Sequence, residues 1–160
     1  MHPFGKSRKD VLYRLVDEYS VFYINWIERD RTFHRGAWLK KHASPAWKAW
    51  SSYAFESVCF KHIPQMKRAL GMEAVETTES SWLHRPRRGE DDGGQIDLLI
   101  DRKDNCINLC EMKFSEREFN IEKTYAGQLR NRRDLFREVT RSRKALFLTM
   151  VTTTRTVRNS

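Results

Sequence analysis

The sequence predicts an α/β domain, and three patterns carry that prediction. Two short apolar segments, 95–101 and 107–114, have the length and composition of strands and are separated by a polar turn. The segment 122–140 repeats its apolar residues at helical spacing. The segment 144–153 is a short apolar run with the composition of a strand. This mixture of strand and helix patterns is typical of a sheet covered by helices.

The N-terminal part of the chain is predicted to be a helical extension. Residues 8–29 carry apolar groups at helical spacing and end in a dense aromatic group. Residues 30–45 are polar and basic and predict a loop. We therefore expect an extension or linker over 1–45 and a single further domain over 46–160. Alternatively, the aromatic residues of the extension form a surface for another protein.

The main helical region is predicted to lie between Ala46 and Leu70. Ser44 followed by Pro45 is a typical helix start, because Ser caps the first turn and Pro needs no hydrogen-bond acceptor there. Pro64 interrupts the region and predicts a kink or a split into two helices. Gly71 then fits a C-terminal cap.

The remaining chain is predicted to contain four strands, one helix and a charged loop. Residues 74–82 predict a strand, and residues 85–94 predict the loop. The run 144–153 is apolar enough to predict a central strand. The order from residue 46 is thus helix, strand, strand, strand, helix, strand. The second helix is expected to turn four residues inward: Tyr125, Leu129, Phe136 and Val139.

The charge balance points to a polyanionic partner. The 160 residues carry a formal net charge of +9 and a pI of about 9.7. Nucleic acid is the partner that this balance favours most, with an anionic membrane surface as the alternative. The three cysteines form no even disulfide framework, and no segment has the pattern of a signal peptide or a membrane span. We therefore expect a cytoplasmic protein with reduced thiols.

Three charged residues lie inside the two apolar segments of the predicted hairpin. Asp97 belongs to the first strand, and Glu111 and Lys113 belong to the second. Charged residues are depleted from strands, so their presence needs a reason. With a turn centred on Asp104, antiparallel partners have numbers that sum to about 208, and Asp97 lies opposite Glu111 on one face. A two-residue turn at Asp104-Asn105 shifts the register by one and separates the two carboxylates.

Glu56 is the third acid that the sequence singles out. It interrupts a stripe on the first helix that is otherwise apolar, made of Ala49, Tyr53, Phe60 and Ile63. It is either a helix-edge residue that reaches solvent or a cationic neighbour, or a third carboxylate beside Asp97 and Glu111. Two or three carboxylates and an ammonium suggest a site that holds a divalent metal against a phosphate.

These residues in this order resemble the PD-(D/E)XK nuclease superfamily, with Glu56 on the first helix, Asp97 on the second strand and Glu111-Met-Lys113 on the third. Within it, most of residues 8–153 resemble the C-terminal nuclease-like domain of prokaryotic AAA-type ATPases with the DUF234 architecture. The similar segments are Tyr53-Ala-Phe-Glu-Ser-Val-Cys, Lys61-His-Ile, Ala69-Leu-Gly, Ser80-Ser-Trp, Gly94-Gln-Ile-Asp-Leu-Leu-Ile-Asp-Arg102, Cys106-Ile-Asn-Leu-Cys-Glu-Met-Lys-Phe114 and Leu148-Thr-Met-Val-Thr-Thr.

The resemblance implies a restriction-endonuclease-like αβββαβ core with a mixed central sheet flanked by helices, preceded by the remnant of a winged-helix linker. The ATPase core itself is absent, because no G-x-x-x-x-G-K-[ST] motif occurs. The chain is therefore expected to be a fragment or a shortened stand-alone copy. An AAA-type ATPase is the protein partner that the resemblance implies.

The resemblance also implies metal-dependent hydrolysis of DNA phosphodiesters. Asp97, Glu111, the Met112 carbonyl and Glu56 would bind Mg²⁺ or Mn²⁺. The metal would polarise the phosphate and lower the pKa of a bound water, while Lys113 would orient that water or stabilise developing negative charge. The alternative is a catalytically silent module with the same fold that binds DNA or docks on the ATPase.

The second helix carries a basic stripe that could track phosphates beside the metal. Its members are Arg130, Arg133, Arg137 and Arg141. The alternative is a solvated face whose charge is partly offset by Asp134 and Glu138. Gln128 is expected either to line the same cleft or to remain on the surface, and Tyr125 to be part of the core or of that cleft.

Overall fold

The computed structural model of the chain describes residues 4–5, 15, 17–28, 36–42, 44–86 and 93–158. The chain divides into two compact units. One is formed from residues 13–63, and the other from residues 1–12 together with 64–160. The division falls between Ile63 and Pro64, inside the region expected to be one domain. The predicted boundary after residue 45 stays a prediction.

The first unit is helical. It contains α1 (Glu18–Phe22), which continues directly into a π-helical turn (Tyr23–Ile27), then α2 (Ala37–His42) and α3 (Pro45–Lys61). Part of the predicted helix 8–29 lies outside the described residues. The prediction of a loop over 30–45 was wrong for the α2 segment. There the run Ala-Trp-Leu-Lys-Lys-His contains no glycine or proline to break a helix.

The start of α3 confirms the predicted cap. The Ser44 hydroxyl accepts a hydrogen bond from the Trp47 N–H at 3.2 Å, and Pro45 occupies the first helical position. Trp47 and Trp50 then pack with Trp26 of the π-helical turn, at ring-centroid distances of 4.9–6.0 Å. Three large, half-buried aromatic rings are thus in mutual contact in this unit.

The predicted apolar stripe is only partly covered. Ala49 and Tyr53 are exposed, whereas Phe60 and Ile63 are half-buried. The buried residues of α3 are the small side chains Ser51, Ser57 and Cys59, which the apolar periodicity did not indicate.

The predicted split of the main helical region is confirmed. Helix α3 ends at Lys61, and α4 spans Ile63–Ala69 with Pro64 in its first turn. Gly71 then adopts a positive φ of 68°. Its N–H donates to the Arg68 carbonyl, and the Met72 N–H donates to the Lys67 carbonyl, both at 2.9–3.0 Å. This is the Schellman pattern of helix termination that the glycine predicted.

The second unit is built on a mixed four-stranded sheet. Its strands are β1 (Thr77–His84), β2 (Gly94–Arg102), β3 (Cys106–Lys113) and β5 (Ala145–Thr152), in that spatial order. The first three pair antiparallel, and β5 pairs parallel with β3. Helix α5 (Lys123–Thr140) connects the two parallel strands, as such a connection requires. The short strands β4 (Phe119–Ile121) and β6 (Thr156–Arg158) form a separate parallel pair.

The hairpin of β2 and β3 has the predicted register. Leu98 pairs with Cys110, and Asp101 pairs with Ile107, so partner numbers sum to 208. The three-residue loop 103–105 contains Asn105 at a positive φ of 62°, the conformation that such loops require at their last position. The wider of the two turns considered is therefore the one that forms.

The core of this unit lies between the sheet and α5. Its buried members are Trp82, Ile96, Leu99, Ile107, Leu109 and Phe136. Val139, expected to face inward, is 42% exposed at the last turn of α5. The prediction of a central last strand was wrong for the described sheet, because β5 is its outermost strand and Phe147 is 49% exposed. No helix in the described parts of the chain is both long and apolar enough to cross a membrane.

Two glycines test this packing. A Cβ at Gly94 would lie 2.9 Å from Trp82 and 3.0 Å from Leu135, whereas a Cβ at Gly127 in α5 meets nothing within 4 Å. We expect Gly94→Ala to lower the free energy of unfolding by about 1–3 kcal/mol through overpacking. Gly127→Ala should raise it by about 0.5–1 kcal/mol, because alanine favours the helix. Urea unfolding followed by circular dichroism measures both changes, and equal effects would contradict the packing described.

Candidate active site

The candidate site forms where β2 departs from regular pairing. Ser80 pairs with Leu99 and Trp82 pairs with Ile96, so one residue of β1 faces two residues of β2, Asp97 and Leu98. This is a β-bulge, a feature that bends a strand and re-aims a side chain. The bulge also explains why Ile96 and Leu99, three residues apart, share the same core although strand residues normally alternate between faces.

The Asp97 carboxylate closes the gap that the bulge leaves between β2 and β3. The regular pairing of these strands ends at Leu98 and Cys110. The next β3 N–H that is directed toward β2 belongs to Met112, and it donates to the Asp97 carboxylate at 3.1 Å. A side-chain oxygen thus replaces the backbone carbonyl that a regular ladder would supply. Asp97 is held at the end of the ladder, beside Glu111.

Glu111 lies at the end of the core face of β3. Ile107 and Leu109 precede it on alternate positions and pack in the core with Phe136 of α5. The carboxylate therefore emerges where the apolar packing ends, still largely covered, with 18% of its side chain exposed. A small hollow between the sheet and α5 has Glu111 and Arg132 in its lining together with several apolar side chains.

Two residues of α5 bind the two oxygens of Glu111. The Tyr125 hydroxyl donates to Oε1 at 3.0 Å, and Nη1 of Arg132 donates to Oε2. Seven residues, or two helical turns, separate Tyr125 from Arg132, so both lie on the helix face directed at the sheet. They fix the carboxylate from both sides. Burial and the neighbouring charge of Glu111 raise the pKa of Tyr125, which keeps its hydroxyl a donor.

The environment of Glu111 disfavours its charge. Burial is the largest cause that raises the pKa of Glu111, and the nearby charge of Asp97 adds to it. Arg132, the Tyr125 hydroxyl and Lys113 lower that pKa, but together they do not offset the first two causes. Two carboxylates are therefore held close together although their repulsion works against it, which is typical of a site that binds a cation.

The other predicted residues of the two strands are distributed around this pair. Lys113 follows Glu111 by two residues, so it lies on the same side of β3, and its side chain is exposed. Met112 is buried, with its N–H used by Asp97. Asp97 and Lys113 are both close enough to Glu111 to act on its charge. The direct pairing of Asp97 with Glu111 that the hairpin arithmetic predicted lies beyond the last regular pair, Leu98 with Cys110.

Glu56 belongs to the helical unit, where it is half-buried in α3. Its predicted part as a ligand stays a prediction. Among the residues that the structure describes, no group of three or more histidine, cysteine, aspartate or glutamate side chains is arranged to hold a metal. Asp97 and Glu111 are the two acidic residues that lie at the candidate site itself.

The basic stripe of α5 is only partly formed. Gln128, Arg130 and Arg137 are exposed, while Arg133 is half-buried and pairs with Asp134 at 2.8 Å. Arg141 was wrongly placed on the helix, because α5 ends at Thr140 and Arg141 adopts a left-handed conformation. Arg133 shares the lining of the hollow with Glu111 and Arg132. Arg130 lies two residues from Arg132 along α5, whereas Arg137 lies five residues beyond it.

The loops that follow β3 and β5 are bound to each other beyond the site. The Ser115 N–H donates to the Thr153 hydroxyl at 2.9 Å, and the Thr154 hydroxyl donates to the Arg117 carbonyl at 2.6 Å. The Phe119 N–H donates to the Arg155 carbonyl at 2.9 Å, at the start of the β4–β6 pair. These bonds hold the chain immediately after Lys113 and reduce its freedom.

Arg132 is the site residue that the sequence did not single out. It was one of several basic residues in this helix, and it lies outside the stripe that drew attention. One signal was available: Arg132 follows the inward positions Tyr125 and Leu129 by seven and three residues, so it belongs to the buried face. An arginine on such a face requires an anionic partner.

Comparison of the chain with family models, with curated proteins and with solved structures finds no match. The resemblance to the nuclease superfamily therefore depends on the residues quoted for it. The fold and the site geometry are independent observations.

The raised pKa of Glu111 makes a prediction about stability. Because the folded state binds this proton more tightly than the unfolded state, ionised Glu111 costs stability above the folded pKa, and the cost vanishes below the unfolded value of about 4.3. Glu111→Gln should therefore gain stability relative to the wild type as pH rises from 4 to 8. Urea unfolding at each pH measures the difference.

Asp104 supplies a control of the opposite sign. The bond to Arg102 lowers the pKa of Asp104 in the folded state. Ionised Asp104 therefore stabilises the fold at pH values above its unfolded pKa, and this stabilisation is lost as pH falls through the lower folded pKa. The free energy of unfolding of the wild type should rise relative to that of Asp104→Asn as pH rises from 2 to 5. If the free energy of unfolding of the wild type also rose relative to that of Glu111→Gln with increasing pH, the electrostatics assigned to the site would be contradicted.

Proposed function

We propose that the chain is a divalent-metal-dependent nuclease domain of the PD-(D/E)XK type that hydrolyses DNA phosphodiesters. The observation that carries this proposal is the pair of carboxylates at the end of the β2–β3 ladder, with Lys113 two residues beyond Glu111. Asp97 is positioned by the bulge and by the Met112 N–H, and Glu111 by Tyr125 and Arg132.

The sheet topology is compatible with this proposal. The superfamily core has the order αβββαβ, and the chain has α3 and α4 before three antiparallel strands, then α5 and a parallel strand. Fold alone does not imply function, because one fold hosts many activities. The site residues therefore carry more weight than the topology.

The donor atoms fit a hard divalent cation. Mg²⁺ and Mn²⁺ prefer oxygen, and Mg²⁺ is commonly bound through one or two carboxylates with several waters. Asp97 and Glu111 supply two carboxylates. The Met112 carbonyl and Glu56 remain proposed additional ligands. The raised pKa of Glu111 supports this fit, since a cation beside both carboxylates would relieve their repulsion.

The residues then divide the work of hydrolysis. A bound divalent ion supplies Lewis-acid stabilisation of the phosphate and activates the attacking water. Asp97 and Glu111 would hold that ion, and Tyr125 fixes the orientation of Glu111 through its hydroxyl. Lys113 lies on the same side of β3 as Glu111 and its side chain is exposed, so its ammonium would orient the water or stabilise negative charge that develops on the phosphate.

One observation favours the second candidate, a nuclease-like module without hydrolysis that binds DNA or a partner. Both oxygens of Glu111 accept hydrogen bonds from α5, so the carboxylate is already satisfied by protein groups. In this case the net charge of +9 still supports salt-sensitive binding of DNA. An AAA-type ATPase remains the proposed protein partner in both cases, on the strength of the resemblance.

Cleavage assays distinguish the two candidates. With Mg²⁺ or Mn²⁺, the wild type should cleave plasmid or single-stranded DNA, and Asp97→Asn should lower the rate by about 10²-fold or more, since removing one preorganised charged group has effects of that size. Asp104→Asn, which removes a carboxylate from the turn of the same hairpin, is the matched control and should keep the wild-type rate. Metal-dependent DNA binding without any cleavage by the wild type would sink the enzymatic proposal.

The salt dependence of DNA binding tests the basic stripe. Arg130→Gln combined with Arg133→Gln should reduce the log–log slope of affinity against salt by about 1.8, because each lost phosphate contact contributes about 0.9 on duplex DNA. Arg137→Gln combined with Arg141→Gln removes the same charge farther from Glu111 and should leave the slope unchanged. Fluorescence anisotropy with Ca²⁺ in place of Mg²⁺ measures both slopes, and equal reductions would show that only overall charge matters.

A further inference from the structure

We propose that Arg132 is a two-position cation that occupies Glu111 until a divalent metal displaces it, after which its guanidinium binds the phosphate of the substrate. This inference rests on the proposed function and adds to it a residue that controls both metal and nucleic-acid affinity. It begins from the bond between Nη1 of Arg132 and Oε2 of Glu111.

The Arg132 bond is made to a carboxylate that has a second carboxylate, Asp97, acting on its charge. Arg132 therefore supplies one positive charge to a pair of carboxylates, and a divalent ion at the same place would supply twice that charge.

The two cations compete for the same oxygen. While Arg132 donates to Oε2 and Tyr125 donates to Oε1, both oxygens of Glu111 have a protein partner. A metal that binds Glu111 through Oε2 places a divalent charge beside the Arg132 guanidinium, and the repulsion between the two cations favours breaking the Arg132 bond. The metal need not break the Tyr125 bond, because Oε1 can accept from the hydroxyl while the other oxygen coordinates. Tyr125 therefore keeps the carboxylate in place during the exchange.

Once displaced, the Arg132 guanidinium would lie close to the phosphate of a bound substrate. The substrate phosphate that binds the metal must lie next to Glu111, and Arg132 is already there with 30% of its side chain exposed. Arginine matches phosphate geometry with two parallel hydrogen bonds, which lysine cannot do. Metal binding thus makes one additional phosphate-binding group available, and the two ligands reinforce each other.

The metal-binding half is tested without nucleic acid. Mn²⁺ titrations followed by electron paramagnetic resonance compare the wild type with Arg132→Met, Arg137→Met and Asp97→Asn. We expect Arg132→Met to bind Mn²⁺ at least threefold more tightly than the wild type. Arg137→Met removes the same charge from an exposed position farther along the same helix and should change the affinity less than twofold.

The outcomes separate the two proposals. If the wild type binds Mn²⁺, Asp97→Asn abolishes binding and Arg132→Met binds equally or more weakly, then the competition is wrong and the proposed function stands. If neither the wild type nor Arg132→Met binds Mn²⁺, both are wrong. Thermal unfolding by circular dichroism verifies that each variant is folded, and Arg132→Gln replaces Arg132→Met if the latter is not.

The phosphate-binding half is tested with Ca²⁺ and a short DNA duplex. The log–log slope of DNA affinity against salt should increase by about 0.9 for the wild type when Ca²⁺ is added, because one further phosphate contact forms. Arg132→Met should show no such increase. An equal increase in both proteins would overturn the proposed release of Arg132 to the phosphate.

Discussion

The close approach of two carboxylates in a largely covered position is the constraint on which the candidate site depends. Burial disfavours the charge of Glu111 and raises its pKa, and the repulsion from Asp97 raises it further. The β-bulge, the Met112 N–H, Tyr125 and Arg132 hold the pair together. Holding the two carboxylates together lowers the stability of the fold, and such a cost is typical of functional sites.

Two features of the fold position the site: the register of the β2–β3 hairpin and the placement of helix α5 against the sheet. The register of the β2–β3 hairpin is set by its three-residue loop and by the need to keep Leu99, Ile107 and Leu109 in the core. Helix α5 is positioned by Phe136 and Leu129, which are buried against the same sheet. The hairpin therefore fixes where the carboxylates lie, and the helix fixes which groups meet them.

Much of this could be predicted from the sequence because local rules agree with the global fold. Strand length, the turn around Asp104 and the helix caps at Ser44 and Gly71 are decided by neighbouring residues, and the structure confirms them. The order of helices and strands follows from the same rules. The position of Glu111 and the register of the hairpin up to Leu98 and Cys110 were predictable, because they depend on the turn and on strand alternation.

Other features depend on contacts that no local pattern encodes. The bulge at Asp97 depends on how β1 pairs with β2, and simple alternation does not reveal it. The edge position of β5 depends on which further strand the chain supplies, although its apolar sequence is that of a central strand. The pairing of Arg132 with Glu111 depends on the rotation of α5 against the sheet. These features are set by tertiary contacts, and the bulge and the Arg132–Glu111 pairing among them shape the site.

The charge coupling between Asp97 and Glu111 can be measured directly by carboxyl-carbon NMR titration of Glu111 in the wild type and in Asp97→Asn. Asparagine keeps the oxygen that accepts from the Met112 N–H and removes only the charge. The pKa of Glu111 should lie above its ordinary value in the wild type and fall in Asp97→Asn. An identical pKa of Glu111 in both proteins would mean that the two carboxylates are not neighbours, and the site described would not exist.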